Sequence, residues 1–200
     1  MQLPNVIDIT RMQDESTEIW HRSPVPVPGS SDVLADLVLA QHRANFDLWH
    51  EEDKARDPHA TDTEIAAVKR SIDRLNQCRN DLIEKIDLKL LSLLDDVMRS
   101  SPDAPLHSET PGMMIDRLSI LALKIFHTRE QAQRPDADDA HRQRNLKRLE
   151  VLLEQRSDLA MAVDALLRDA VRGQRRFKLY RQMKMYNDPE LNPAIYQHKR

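Results

Sequence analysis

Residues 61–100 read TDTEIAAVKRSIDRLNQCRNDLIEKIDLKLLSLLDDVMRS, and no glycine or proline follows the opening until Pro102. Thr61-Asp62-Thr63-Glu64 is a capping signature: a hydroxyl and a glutamate three residues on satisfy free backbone donors. Ile65, Val68, Ile72, Leu75, Ile83, Ile86, Leu90, Leu93, Leu94 and Val97 then recur at helical spacing. The stretch predicts one helix of about 37 residues, roughly 55 Å at 1.5 Å per residue. An amphipathic helix of that length needs other helices to cover its apolar face, so the expected fold class is an all-α bundle.

The flanks supply those helices. Upstream, Ser31-Asp32 is an N-cap pair, and the helix it starts runs to about Arg56 and stops at Asp57-Pro58. Downstream, Ser100 to Pro105 reads as a loop. Thr110-Pro111 is a cap followed by proline at the first helical position, and its helix ends near Gln131. Arg134 to Asp139 is a loop and an acidic helix start. The last helix runs to Arg172 and stops at Gly173, a glycine placed to leave the helix in the left-handed conformation. The expected organisation is a bundle of about four long helices over residues 31–173. An extended N-terminal arm over residues 1–30 precedes it, and a basic, aromatic C-terminal tail over residues 174–200 follows. Ser23-Pro24-Val25-Pro26-Val27-Pro28-Gly29 in the arm excludes helix there, because three prolines alternate with valine. Trp20 is the one large apolar residue nearby that would pin the arm to the body.

Composition agrees. The chain has three glycines, 4% aromatic and 32% charged residues, which favours helix over sheet. A net charge of −3 gives no global field for nucleic acid or an anionic membrane, and nucleic acid is not an expected partner. The single cysteine, Cys78, excludes an intramolecular disulfide framework. No apolar run reaches the ~18 residues of a membrane span. The N-terminus carries Asp8, Asp14, Glu15 and Glu18 without a basic start and apolar stretch, so it does not read as a secretory signal. A soluble, cytoplasmic protein is expected.

The apolar stripes carry polar interruptions. Arg79 falls in the middle of the 61–100 stripe, with Asn76, Asn80 and Asp87 on one flank. Leu149, Leu153, Val163 and Leu167 form the stripe of the last helix, and Arg156 lies at its centre. The first helix of the bundle begins apolar with Leu34, Leu37 and Val38. It then turns polar with Gln41, Asn45 and Glu52, while Leu48 and Trp49 keep it partly apolar. From Met113 to Phe126 the third helix is apolar nearly all round, as a central helix is, and Arg117 and Lys124 stack two turns apart on it.

A buried, unpaired guanidinium is very costly, so these arginines must meet acids, an anionic ligand or solvent. Two readings follow. In one, Arg79, Arg117, Lys124 and Arg156, with Asn45, Asn76 and Trp49, bind an anionic small molecule in a polar core, and Glu52, Glu84, Asp87 and Asp116 are the candidate catalytic acids. In the other, the same acids pair with the arginines in a buried network that serves register and specificity. His50, His59, His107 and His127 are scattered, with no His-x-x-x-His pair, so no metal ligands are assigned and these histidines read as surface or capping residues. Ser71, Ser92 and Ser119 read as ordinary mid-helix serines.

Three separated motifs carry a resemblance. They are the stretch Asn45 to Arg56, the stretch Lys69 to Asp87, and Ser108-Glu109-Thr110-Pro111-Gly112-Met113-Met114-Ile115-Asp116-Arg117-Leu118-Ser119-Ile120-Leu121. In that order they resemble the bacterial family called domain of unknown function 4254, over most of the chain beyond the arm. The resemblance implies no particular reaction or cofactor. It implies association with glycosyltransferases and envelope polysaccharide synthesis. Two enzyme classes are also similar in part. Arg79 to Asp87 followed by Leu90-Leu91 and Leu93-Leu94 resembles the first helix of helical chorismate mutases. Glu84 and Asp87 match one i, i+3 acid pair of the all-α, Mg-dependent nucleotide pyrophosphohydrolases, whereas Glu52 and Asp53 depart from the second pair by being adjacent.

In the tail, Arg172, Arg175, Arg176, Lys178, Arg181 and Lys184 interleave with Phe177, Tyr180, Met183, Met185 and Tyr186. Packing on the bundle or on a second subunit is expected for it, rather than nucleic-acid binding. The sequence thus points to an anion-binding helical bundle accessory to glycan biosynthesis. The alternatives are a non-catalytic interaction module and a pyrophosphohydrolase-like enzyme, and a homodimer is open.

Overall fold

The computed structural model describes residues 4–23, 33–181, 183, 190 and 191. Its described part is all-α: α1 Val6–Arg22, α2 Val33–Lys54, α3 Asp62–Ser100, α4 Pro111–Gln133 and α5 Asp139–Val171. Four of the five match the expected helices in order and nearly in length. Their ends are set by the local chemistry read above. Thr61 and Glu64 form a reciprocal capping box, Thr110 accepts from the Met113 N–H with Pro111 in the first turn, and Asp138 accepts from the His141 N–H. Gly173 takes φ +67° after α5, where a Cβ would also strike the Ser101 hydroxyl.

The N-terminal arm corrects one expectation. Residues 6–22 are a helix packed on α2, α4 and α5, not an extended arm. Asn5 caps it by accepting from the Ile7 N–H at 2.9 Å. Its buried face is Val6, Ile9, Gln13, Ser16, Thr17 and Trp20, a regular helical period in which three of six positions are polar. That polarity hides the stripe from a reading by hydropathy. The proline-rich stretch 24–29 and the expected cap at residues 31 and 32 lie outside the described residues.

α4 is the central helix and packs against each of the other four. Its Met114, Ile115 and Leu118 meet Ile86, Leu90 and Leu94 of α3, Val163 and Leu167 of α5, Leu34 and Val38 of α2, and Val6 and Ile9 of α1 in one core. α3 and α4 approach closely at Gly112, where a Cβ would lie 2.7 Å from the Ile83 carbonyl oxygen and 2.8 Å from Asp87 Oδ1. On α5 the buried face runs through Arg156, Leu159, Val163, Leu166, Leu167 and Ala170, while Leu153 is turned to solvent.

The start of the tail packs as expected. Phe177 is buried in the core. Arg176 pairs with the loop before α4: its N–H donates to the Pro105 carbonyl, its carbonyl accepts from the His107 N–H, and its Nε donates to the Ala104 carbonyl. Lys184, Met185 and Tyr186 lie outside the described residues. No helix among the described residues is long and apolar enough to cross a membrane.

Candidate functional site

Arg79 reaches from α3 across to α4. Its Nε donates to Asp116 Oδ1 at 2.7 Å and its Nη2 to Oδ2, a bidentate fork on a carboxylate that is almost fully buried. The same carboxylate accepts from α2, through Gln41 Nε2 and through Asn45 Nδ2 at 2.9 Å. Four donor nitrogens on one carboxylate hold it in place. Burial lowers and the Asp116 hydrogen bond raises the basicity of Arg79, with the hydrogen bond dominant, so the guanidinium stays charged.

The network continues inward. Asn45 Nδ2 also donates to Ser119 Oγ at 2.9 Å, and Ser119 Oγ lies 2.7 Å from His42 Nδ1. His42 Nε2 lies 2.8 Å from the Gln13 carbonyl, which only accepts, so Nε2 carries the proton and Nδ1 accepts from the Ser119 hydroxyl. Thr17 Oγ1 closes this end at 2.9 Å from Nε2. Burial drives the His42 pKa down to about 3, so the ring is neutral at physiological pH. One sequence expectation changes here. Ser119 is a buried junction rather than an unremarkable serine. His42 and Gln13 are core polar residues that hydropathy alone did not mark. Gln41 and Asn45 turn inward onto Asp116.

The second core arginine has a separate partner. Arg156 Nη1 donates to both oxygens of Asp14 on α1, and its Nη2 donates to the Thr10 carbonyl at 2.8 Å. The Arg156 Nε is buried without a partner among the described residues. Arg117 is exposed and forks onto Glu109, and Lys124 is exposed on α4. The four cations therefore do not converge on one anion, because each stripe position faces a different neighbour.

The candidate acids are dispersed as well. Asp87 is spent on the start of α4: Oδ1 accepts from the Gly112 N–H at 2.7 Å and Oδ2 from the Thr110 hydroxyl. Burial first, then nearby Glu84, pushes its pKa up to about 6 against those two hydrogen bonds. Glu84 is half-buried beside it. Glu52 pairs with Arg56 at 3.0 Å on α2, and Asn76 is half-buried on α3. With both Asp87 oxygens committed, the Glu84–Asp87 pair does not open onto Glu52 and Asp53 as a two-pair cation site requires.

What the fold does gather is a groove of about 360 Å³ between α2, α3 and α4. Leu48, Trp49, Ile120 and Leu123 form its apolar wall, and Asn45, Glu52, Asp53, Arg56 and Arg79 supply its polar groups. Asn45, Trp49, Glu52 and Arg79 of the expected site residues thus meet in one place. Arg56, which no stripe argument marked, joins them from the turn that follows α2. Behind the groove, Trp49 stacks on His127, which neighbours His21 and His50. Of the histidines expected to be scattered, His50 and His127 are instead half-buried and clustered with His21, while His59 is exposed.

A family model described as a protein of unknown function (DUF4254) matches residues 35–179. The matched span covers α2 to α5 and the groove, and α1 precedes it. No curated protein and no solved structure matches the chain.

Proposed function

The chain belongs to the DUF4254 family, and we propose that it binds an anionic small molecule, phosphorylated or carboxylated, in the groove between α2, α3 and α4. The observation that carries this reading is the meeting of an indole, two guanidinium groups, an amide and two carboxylates around one small concavity. Trp49, Leu48, Ile120 and Leu123 suit the apolar face of a ring. Asn45, Glu52 and Asp53 suit hydroxyl and amide groups. Arg79 keeps Nη1 outside its fork with Asp116, and that fork fixes the guanidinium plane in advance. Arg56 is held by exposed contacts with Glu52, an ion pair with its carboxylate and a hydrogen bond from Nη1 to its carbonyl; such surface contacts are worth little in water, so the side chain can turn onto an anion. The setting in envelope glycan synthesis, and with it a glycosyltransferase partner, rests on the family resemblance alone.

A second reading has its own support. Arg79 and Arg156 each already own a carboxylate, as a structural ion-pair network in an interaction module would have. Native mass spectrometry of the purified chain, followed by fluorescence titration of Trp49 with a hexose 1-phosphate and a nucleoside diphosphate sugar, separates the two. The ligand reading expects saturable binding that falls at least roughly tenfold in Arg56→Ala, since a charge-assisted hydrogen bond is worth about 1.5–3 kcal/mol. A chain that carries no small molecule and binds neither probe leaves the network reading.

A further inference from the structure

Three histidines from three helices converge beside, but outside, the groove. His21 ends α1, His50 lies in the last turns of α2, and His127 lies in the second half of α4. Each offers a ring nitrogen, and the three nitrogens lie within 4.8 Å of one another. In each ring Nδ1 is already engaged. His21 Nδ1 lies 2.7 Å from the Thr17 carbonyl and His50 Nδ1 lies 2.8 Å from the Phe46 carbonyl, so both Nδ1 atoms donate. His127 Nδ1 lies 3.0 Å from the Glu130 carboxylate. Protonated at Nδ1, all three rings keep the lone pair on Nε2. The Nε2 atoms of His21 and His127 are buried with no hydrogen-bond partner among the described residues.

We propose that His21, His50 and His127 bind a divalent transition metal ion of the zinc type through their Nε2 atoms, with the fourth position open to water or a substrate atom. Buried acceptors without donors cost free energy, and a cation answers them together. Three imidazoles with an open position are the donor set of reactive zinc sites. The outer contacts also fit: backbone carbonyls and a carboxylate on Nδ1 are what fixes tautomer and ring direction in metal-bound histidines. Zinc–nitrogen bonds of about 2.0–2.1 Å in a tetrahedron put neighbouring nitrogens roughly 3.4 Å apart, which small ring rotations reach from the present spacing. The walls are aromatic. Phe126 stacks on His21 at 4.1 Å, Phe46 lies 4.4 Å from His50, and Trp49 lies parallel to His127 at 4.8 Å. The role does not depend on a ligand in the groove.

The test uses the full chain without a histidine tag. Zn²⁺ is titrated calorimetrically, and Co²⁺ is titrated with visible absorption and Trp fluorescence as readouts. One ion per chain is expected, with the intense visible bands of four- or five-coordinate Co²⁺ and quenching of Trp49. His50→Ala and His127→Ala should each lose this binding, whereas His59→Ala, at an exposed position, should keep it. Glu130→Gln alters an exposed side chain and should weaken binding roughly 10–100-fold with the helical circular dichroism unchanged. Where an alanine variant fails to fold, the Co²⁺ spectrum of the unaltered chain and the Glu130→Gln titration decide. Weak six-coordinate Co²⁺ bands, affinity retained in a folded His50→Ala or His127→Ala, or affinity unmoved by Glu130→Gln would overturn the site.

Discussion

Arg156 of α5 closes on Asp14 of α1, with one terminal guanidinium nitrogen 2.6 and 2.8 Å from the two carboxylate oxygens. The residues are far apart in the chain, yet this pair and the Thr10 carbonyl dock α1 onto the bundle. Removing the acid leaves a buried cation. Asp14→Ala is expected to cost about 2–3 kcal/mol, below the 3–5 of a fully buried pair because the Asp14 side chain is 49% exposed. Urea melts check it, and a loss under about 0.5 kcal/mol would show that α1 docks without the pair.

The neutral His42 makes stability fall in acid. Its folded pKa is about 3 against 6.5 for the free group, so the unfolded chain binds a proton that the folded chain refuses. Its contribution is complete above about pH 6.5 and is lost as pH falls toward 3. His42→Gln should lower the melting temperature at pH 7.5, by disturbing Ser119 and Gln13, and flatten the decline below pH 6. Parallel acid limbs in the two proteins would locate the acid sensitivity elsewhere.

Asp87 works in the opposite sense. Its folded pKa, about 6, lies above the ordinary 3.8, so its contribution is greatest below about pH 4 and is lost as pH rises through 6. Asp87→Asn keeps an acceptor for the Gly112 N–H and removes the ionisation. Relative to the unaltered chain, it should therefore do better at pH 7.5 than at pH 4.5. Thermal melts at the two values decide, and a difference of the reverse sign would mean that the charge itself holds α4.

Gly112 marks where α3 and α4 touch. Gly112→Ala places a methyl 2.7 Å from a backbone carbonyl that cannot turn away. A cost of roughly 1–3 kcal/mol is expected, as for overpacking elsewhere in cores. Chemical denaturation measures it, and a neutral result would show that the helices part freely there.

The tail contributes through Phe177. Truncation after Gly173 removes a phenyl ring that is only 2% exposed, together with the Arg176 backbone pairings. About 3–5 kcal/mol of stability should be lost, the range for deleting a large core aromatic. A truncated chain that melts at the same temperature would show that the tail is only laid on the surface.

The helices and their ends were legible in the sequence because their causes are local. A capping box at Thr61, a threonine and proline at Thr110-Pro111, an aspartate at Asp138 and a glycine at Gly173 act within one turn, and the 3.6-residue period of the stripes needs no partner to be seen. The same period showed that Arg79 and Arg156 must find company. Which company was a tertiary decision. Asp116 and Asp14 answer them across long stretches of chain, and Arg117 and Lys124, of the same charge, turn to solvent. α1 stayed hidden for the converse reason. Gln13, Ser16 and Thr17 sit where apolar residues would announce a buried face, and hydrogen bonds within α1 and to α2 and α4 engage the Gln13 Nε2 and the Thr17 hydroxyl there. His21, His50 and His127 belong to helices whose phases only packing relates, so no spacing in the sequence brings them together. Local backbone chemistry writes itself into neighbouring residues; the pairing of buried polar groups depends on how helices rotate against one another, and that is set by the core as a whole.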